Sequence, residues 1–99
     1  MPHDDARGPE TPRDLLTYFD EEHRRRTGFP AVIVRGKDAR ILASLTKSHG
    51  ADVVQDLIFL FFETRDKFIL EAGFSVGVFQ SQAAKLLLEL QRRYRKGRS

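Results

Sequence analysis

The sequence contains no cysteine, which excludes a disulfide framework, a thiolate metal site and a cysteine nucleophile. That absence suits a reducing compartment, and a cytoplasmic protein is the expectation. No apolar run approaches the roughly 18 residues that a membrane span requires, so no membrane partner is expected. The opening residues Met1-Pro2-His3-Asp4-Asp5 lack the basic and apolar segments of a signal peptide. Histidine is scarce, and His3, His23 and His49 show no close ligand spacing. Ser44, Ser48, Ser75 and Ser81 lack the glycine elbow of a hydrolase nucleophile. Gly36-Lys37-Asp38 falls short of a phosphate loop, because Asp38 replaces the hydroxyl residue and Ala31 stands where the first glycine belongs. Asp20-Glu21-Glu22 offers three carboxylates, but neighbours on a helix point about 100° apart and do not converge on a metal. A non-enzymatic protein without metal or cofactor is therefore expected.

What the sequence does contain is helical patterning. The stretch Asp52 to Phe62 is apolar at 53, 54, 57, 58 and 61, one face of a 3.6-residue period. Phe59, Leu60 and Phe62 widen that face, which predicts a central helix buried on several sides. Asp52 and Gln55 have capping-box spacing at its start. Ahead of it, Thr11-Pro12-Arg13-Asp14 opens a first helix carrying Leu15, Leu16 and Phe19, ended by Gly28 with Phe29 as the hydrophobic contact behind the cap. Phe29 to Val34 reads as an extended connector, since Pro30 restrains Phe29 and Val-Ile-Val favours extended backbone. Gly36-Lys37-Asp38 opens a second helix with the stripe Ile41, Leu42 and Leu45, ended by Gly50. A short helix, Lys67 to Ala72, precedes Gly73 and Phe74. Ser75 caps a last helix whose stripe is Val76, Phe79, Ala83, Leu86, Leu87, Leu90 and Tyr94. The expectation is all-α: a single small helical bundle of four main helices plus one short helix, with an extended connector at 29–34. Residues 1–10 read as a disordered leader, 11–95 as the bundle and 96–99 as a basic tail.

The net charge of +3 hides an uneven distribution. Residues 1–22 carry two Arg against seven acids, and residues 23–50 carry seven Lys/Arg against one acid. Residues 51–84 carry two bases against five acids, and residues 85–99 six against one. Two basic blocks suggest a polyanion-binding surface. On the second helix Lys37, Arg40, Ser44, Lys47 and Ser48 share a face opposite the apolar stripe. Such a strip suits phosphate contacts, unless Glu21, Glu22 or the acidic third helix neutralises it within the fold. At Gly36 the helix N-terminus, flanked by Arg35 and Lys37, could meet a phosphate, or equally be a plain helix start whose donors Asp38 occupies. The C-terminal run Arg92, Arg93, Arg95, Lys96 and Arg98 is the denser signal, with Tyr94 placed to stack on a base; its alternative is a solubilising tail. Arg24, Arg25, Arg26 and Lys85 complete the candidate contacts. The expected partner is DNA, with RNA not separable because phosphate contacts do not distinguish the two. The alternative is a protein–protein adaptor or small inhibitor of a host nucleoprotein complex, working through the acidic blocks or through aromatics such as Phe59 and Phe62.

Several motifs then recur in a familiar order: an aromatic-bearing first helix running into Arg26-Thr27-Gly28-Phe29-Pro30, the Gly36-Lys37-Asp38 opening with Leu42 and Leu45, and His49-Gly50-Ala51-Asp52-Val53-Val54. The pair Phe61-Phe62, Asp66-Lys67-Phe68-Ile69, and Gly73-Phe74-Ser75-Val76-Gly77-Val78-Phe79 follow. In these, residues 15–90 resemble a helical domain of replication-associated, replisome-organiser-like proteins of phages and other mobile elements. There the domain often follows an N-terminal winged helix that reads DNA. The resemblance implies a helical fold and no catalytic residues. Without the DNA-reading domain, it implies an accessory or replisome-assembly role, with a protein partner in a replication or nucleoprotein complex.

Overall fold

A computed structural model describes residues 11–98, with side chains as far as Tyr94. The described residues form five helices: α1 (Pro12–Thr27), α2 (Arg35–His49), α3 (Ala51–Phe62), α4 (Lys67–Ala72) and α5 (Val76–Arg98). No strand occurs among the described residues, and 29–34 is an extended connector. The leader assigned to 1–10 lies outside the described residues. The backbone of α5 stays helical to Arg98, past the start of the expected tail at 96.

Helix α3 packs against α1, α2 and α5, because its apolar positions occupy most of its circumference. Val54, Leu57, Ile58, Phe61 and Phe62 are completely buried and meet Leu15 and Phe19 of α1, Leu42 of α2, and Val76 and Phe79 of α5. Each such side chain contributes about 1.5–3 kcal/mol by leaving water. Phenylalanines form the centre. Phe19 meets Phe62 edge-on at 4.8 Å, Phe61 meets Phe79 at 5.3 Å, and Phe74 stacks on Phe62 at 5.1 Å.

The caps show where neighbouring sequence was sufficient. The Thr11 hydroxyl accepts from the Asp14 N–H and the Asp14 carboxylate from the Thr11 N–H, closing a capping box on α1. Ser75 accepts from the Val78 N–H at the start of α5, and Asp66 from the Phe68 N–H at the start of α4. Helix α3 differs from expectation. Its cap is Gly50, and no side chain caps it. Gly50 adopts φ 90°, ψ 151°, a conformation open essentially to glycine, which ends α2 and starts α3 at a single residue. Asp52 therefore falls inside the first turn, where the helix dipole favours it, instead of at the cap. Gly28 caps α1 in the left-handed region as expected, but Phe29 turns outward and is 70% exposed. Its carbonyl accepts from Thr27 Oγ1 and bonds His23 Nδ1, and these bonds set the chain's exit in place of an apolar contact. Phe59 is also partly exposed, so α3 keeps one face toward solvent.

Candidate nucleic-acid interface

Helix α2 begins at Arg35, one residue ahead of the expected opening, with Val34 as its cap. Asp38 is almost fully buried and reaches back to accept the Val34 N–H at 2.9 Å. Asp38 thus leaves the N–H groups of Arg35, Gly36 and Lys37 without a side-chain acceptor among the described residues. The burial of Asp38, Leu42 and, in part, Ile41 and Leu45 fixes the rotation of α2. The opposite face turns outward: Lys37, Arg40, Ser44, Lys47 and Ser48 are all exposed. Lys37, Arg40 and Lys47 have no ion-pair partner among the described residues. Neither Glu21 nor Glu22 forms an ion pair with them among the described residues, and Glu22 engages Arg25 on its own helix. The strip runs about 15 Å along the helix, from the 1.5 Å rise per residue.

The other basic clusters are tied into the fold. Arg24 Nε donates to Asp20 at 2.9 Å. Arg25 bridges Glu22 and Glu63, joining the end of α1 to the end of α3, and these bonds raise its pKa above the ordinary arginine value. Arg26 donates to the Thr64 carbonyl at 3.2 Å and lies over the Phe74 ring. Lys85 pairs with Asp66 at the cap of α4. Glu89 holds both Arg92 and Arg93, at 3.0 and 3.1 Å. Tyr94 is 61% exposed, free to stack. The side chains of Arg95, Lys96 and Arg98 lie outside the described residues. Arg92 and Arg93 border a depression between the end of α3, α4 and α5, and no residue of α2 lines it.

A groove of about 700 Å³ lies between α1, the connector and the start of α2. Arg13, Arg24 and Arg35 stand on it over Leu16, Ala31 and Ile33. Arg13 was not among the sequence-stated contacts, although its signal is present. Arg13, Thr17, Asp20 and Arg24 recur four, three and four apart, on the face of α1 away from Leu15 and Phe19. Asp20 holds the groove's shape: one carboxylate oxygen accepts the Ala31 N–H at 2.8 Å and the other accepts from Arg24. The bond from Ala31, with help from Arg24, keeps the Asp20 carboxyl below the usual carboxylate range despite some desolvation.

Among the described residues no three His, Asp or Glu gather as a metal-binding group, and no helix is long and apolar enough to cross a membrane. Of the aromatics named for a protein-docking surface, Phe62 is fully buried in the core and cannot serve; Phe59 remains partly exposed. The chain matches no family model, no curated protein and no solved structure.

Proposed function

We propose that this chain is a non-enzymatic nucleic-acid-binding module, an accessory in replication or replisome assembly of a phage or mobile element, that lays α2 on a phosphate backbone. One observation carries the reading: the outer face of α2 presents Lys37, Arg40 and Lys47 exposed and without an acidic partner among the described residues. Cations already satisfied by carboxylates must break those bonds to meet a phosphate; these three need not. Ser44 and Ser48 add neutral donors between them. Contacts of this kind position a protein on DNA or RNA without reading its sequence. The resemblance of residues 15–90 to replication-associated proteins supports DNA as the natural partner. Arg24, Arg25, Arg26 and Lys85 then act first as structural ties, and the C-terminal run is an auxiliary contact.

The test replaces Lys37, Arg40 and Lys47 together by alanine. All three sites are exposed, so helicity by circular dichroism should be unchanged. Fluorescence anisotropy with a labelled oligonucleotide should show affinity reduced by more than tenfold, with a smaller loss on deleting residues 92–99. Equal affinity of the triple variant and the parent would overturn the reading.

A protein–protein adaptor is the second reading. It is favoured by the connector, where Phe29, Val32 and Val34 are 70%, 88% and 56% exposed in one short segment.

A further inference from the structure

The groove between α1 and the connector combines two features. The first is charge. Arg13 and Arg35 line it and have no ion-pair partner among the described residues, and Arg24 stands beside them. Among the described residues Asp20 is the one acid that borders it, and both its oxygens are taken, by Ala31 and Arg24. The second is an open backbone edge. Along the connector exposure alternates residue by residue, with Ala31 and Ile33 turned in and Val32 and Val34 turned out, as in a strand. The N–H groups of Val32 and Ile33 nevertheless have no hydrogen-bond acceptor among the described residues. Consecutive amides of an extended segment point to opposite edges, so the edge that Ala31 turns to Asp20 of α1 keeps the Ile33 amide open, and beside a floor of aliphatic side chains it offers an extended peptide a place to pair.

We infer that this groove docks an extended acidic peptide segment of a protein partner, which pairs its backbone with the connector and sets its carboxylates on Arg13 and Arg35. A guanidinium offers two parallel N–H donors matched to a carboxylate, which gives both orientation and strength. Single-stranded nucleic acid fits less well. No aromatic side chain among the described residues lines the groove, so unstacked bases find no stacking platform there. The inference is independent of nucleic-acid binding by the α2 face, and the two can fail separately.

The test is a titration of the ¹⁵N-labelled whole chain with a blocked peptide of alternating Glu and Val. Controls are the same peptide N-methylated at alternate residues, a Lys/Val peptide and a short oligothymidylate. Saturable, submillimolar binding is expected with the Glu/Val peptide, with amide shifts confined to residues 13–17 and 31–36. Arg13→Ala combined with Arg35→Ala should lower affinity about tenfold or more, while the Lys37/Arg40/Lys47 alanine variant binds as the parent does. Both substituted arginines are exposed, so the spectrum of the free variant should keep the parent's dispersion. N-methylation should abolish saturation. No saturation with the Glu/Val peptide, shifts centred elsewhere, or equal binding of the N-methylated peptide would each overturn the inference. Tighter binding of oligothymidylate at the same amides would assign the groove to nucleic acid and overturn it as well.

Discussion

Asp20 holds the connector to α1 with one carboxylate oxygen, which accepts the Ala31 N–H, and uses the other on Arg24 of its own helix. Its lowered pKa means that the folded state prefers the ionised form. The stability this contributes is complete above the ordinary carboxylate pKa and disappears as pH falls through the lowered folded value. Asp56 acts in the opposite sense, since burial first and Asp52 second push its carboxyl up. The useful quantity is therefore a difference: urea midpoints of the parent and of Asp20→Asn, followed from neutral pH down to about pH 2, should converge as Asp20 protonates. Parallel profiles would remove Asp20 from that role. Asp38 is the second residue that shapes the connector's end. Asp38→Ala strands the Val34 N–H and should cost about 1–3 kcal/mol in urea unfolding, whereas Asp38→Asn keeps an acceptor and should cost less. Tyr18 offers a spectroscopic check on the α1–α3 seam. Burial, then Glu22, raises its pKa to about 12, so stability tied to its neutral form is full below pH 10 and falls between there and pH 12. In a Tyr94→Phe background the one remaining phenol should ionise near pH 12 by absorbance; ionisation near the ordinary value of about 10 would place Tyr18 in solvent.

At the scale of the element, α3 carries most of the packing, and its two kinds of phenylalanine separate core from surface. Phe61→Ala removes a ring in contact with Phe19, Phe74 and Phe79 and should cost about 3–5 kcal/mol. Phe59→Ala, at a partly exposed ring, should cost under about 1.5 kcal/mol by the same urea measurement. Gly50→Ala should cost about 1–3 kcal/mol, because φ 90° with ψ 151° strains any side chain there even though no neighbour would touch it. The stripes of α2 and α3, that of α5 as far as Leu90, and the caps at Thr11 and Ser75 were legible because each depends on residues within four positions of one another, whereas Tyr94, placed on the α5 stripe, is exposed. The α2 basic strip was legible for the same reason. What escaped the sequence depends on contacts across the fold. Asp20 meets Ala31 eleven residues on, and Arg25 meets Glu63 from another helix. Composition therefore showed Arg24-Arg25-Arg26 as a cluster but could not show that its charges are answered. The spacing of Arg13 with Thr17, Asp20 and Arg24 was legible, but the groove that Arg13 borders forms only when the connector folds back over α1. The α3 cap was misplaced for a related reason: Asp52 has the right spacing, but a glycine at positive φ had already ended one helix and begun the next.

At the scale of the molecule, the charges sort into two populations. Those on α1, α4 and the described part of α5 are largely paired, mostly within their own helix, while Arg25–Glu63 and Lys85–Asp66 tie different elements together. Those on the outer face of α2 and at the mouth of the neighbouring groove are open. The first population adds modest stability, because exposed pairs are each worth about 0–1 kcal/mol. The second is available to a polyanion at no cost in broken bonds. Salt dependence addresses this division most directly, since each neutralised phosphate contributes about −0.9 to the slope of log affinity against log salt on duplex DNA. The decisive measurement is that slope between about 50 and 200 mM salt, by anisotropy, for the parent and for the chain with Lys37, Arg40 and Lys47 replaced by alanine. A parent slope of about −3 or steeper that loses roughly 3 in the variant is expected. A parent that does not bind at the lowest salt, or a slope the three substitutions leave unchanged, would contradict the assignment of α2 as the phosphate-contacting face.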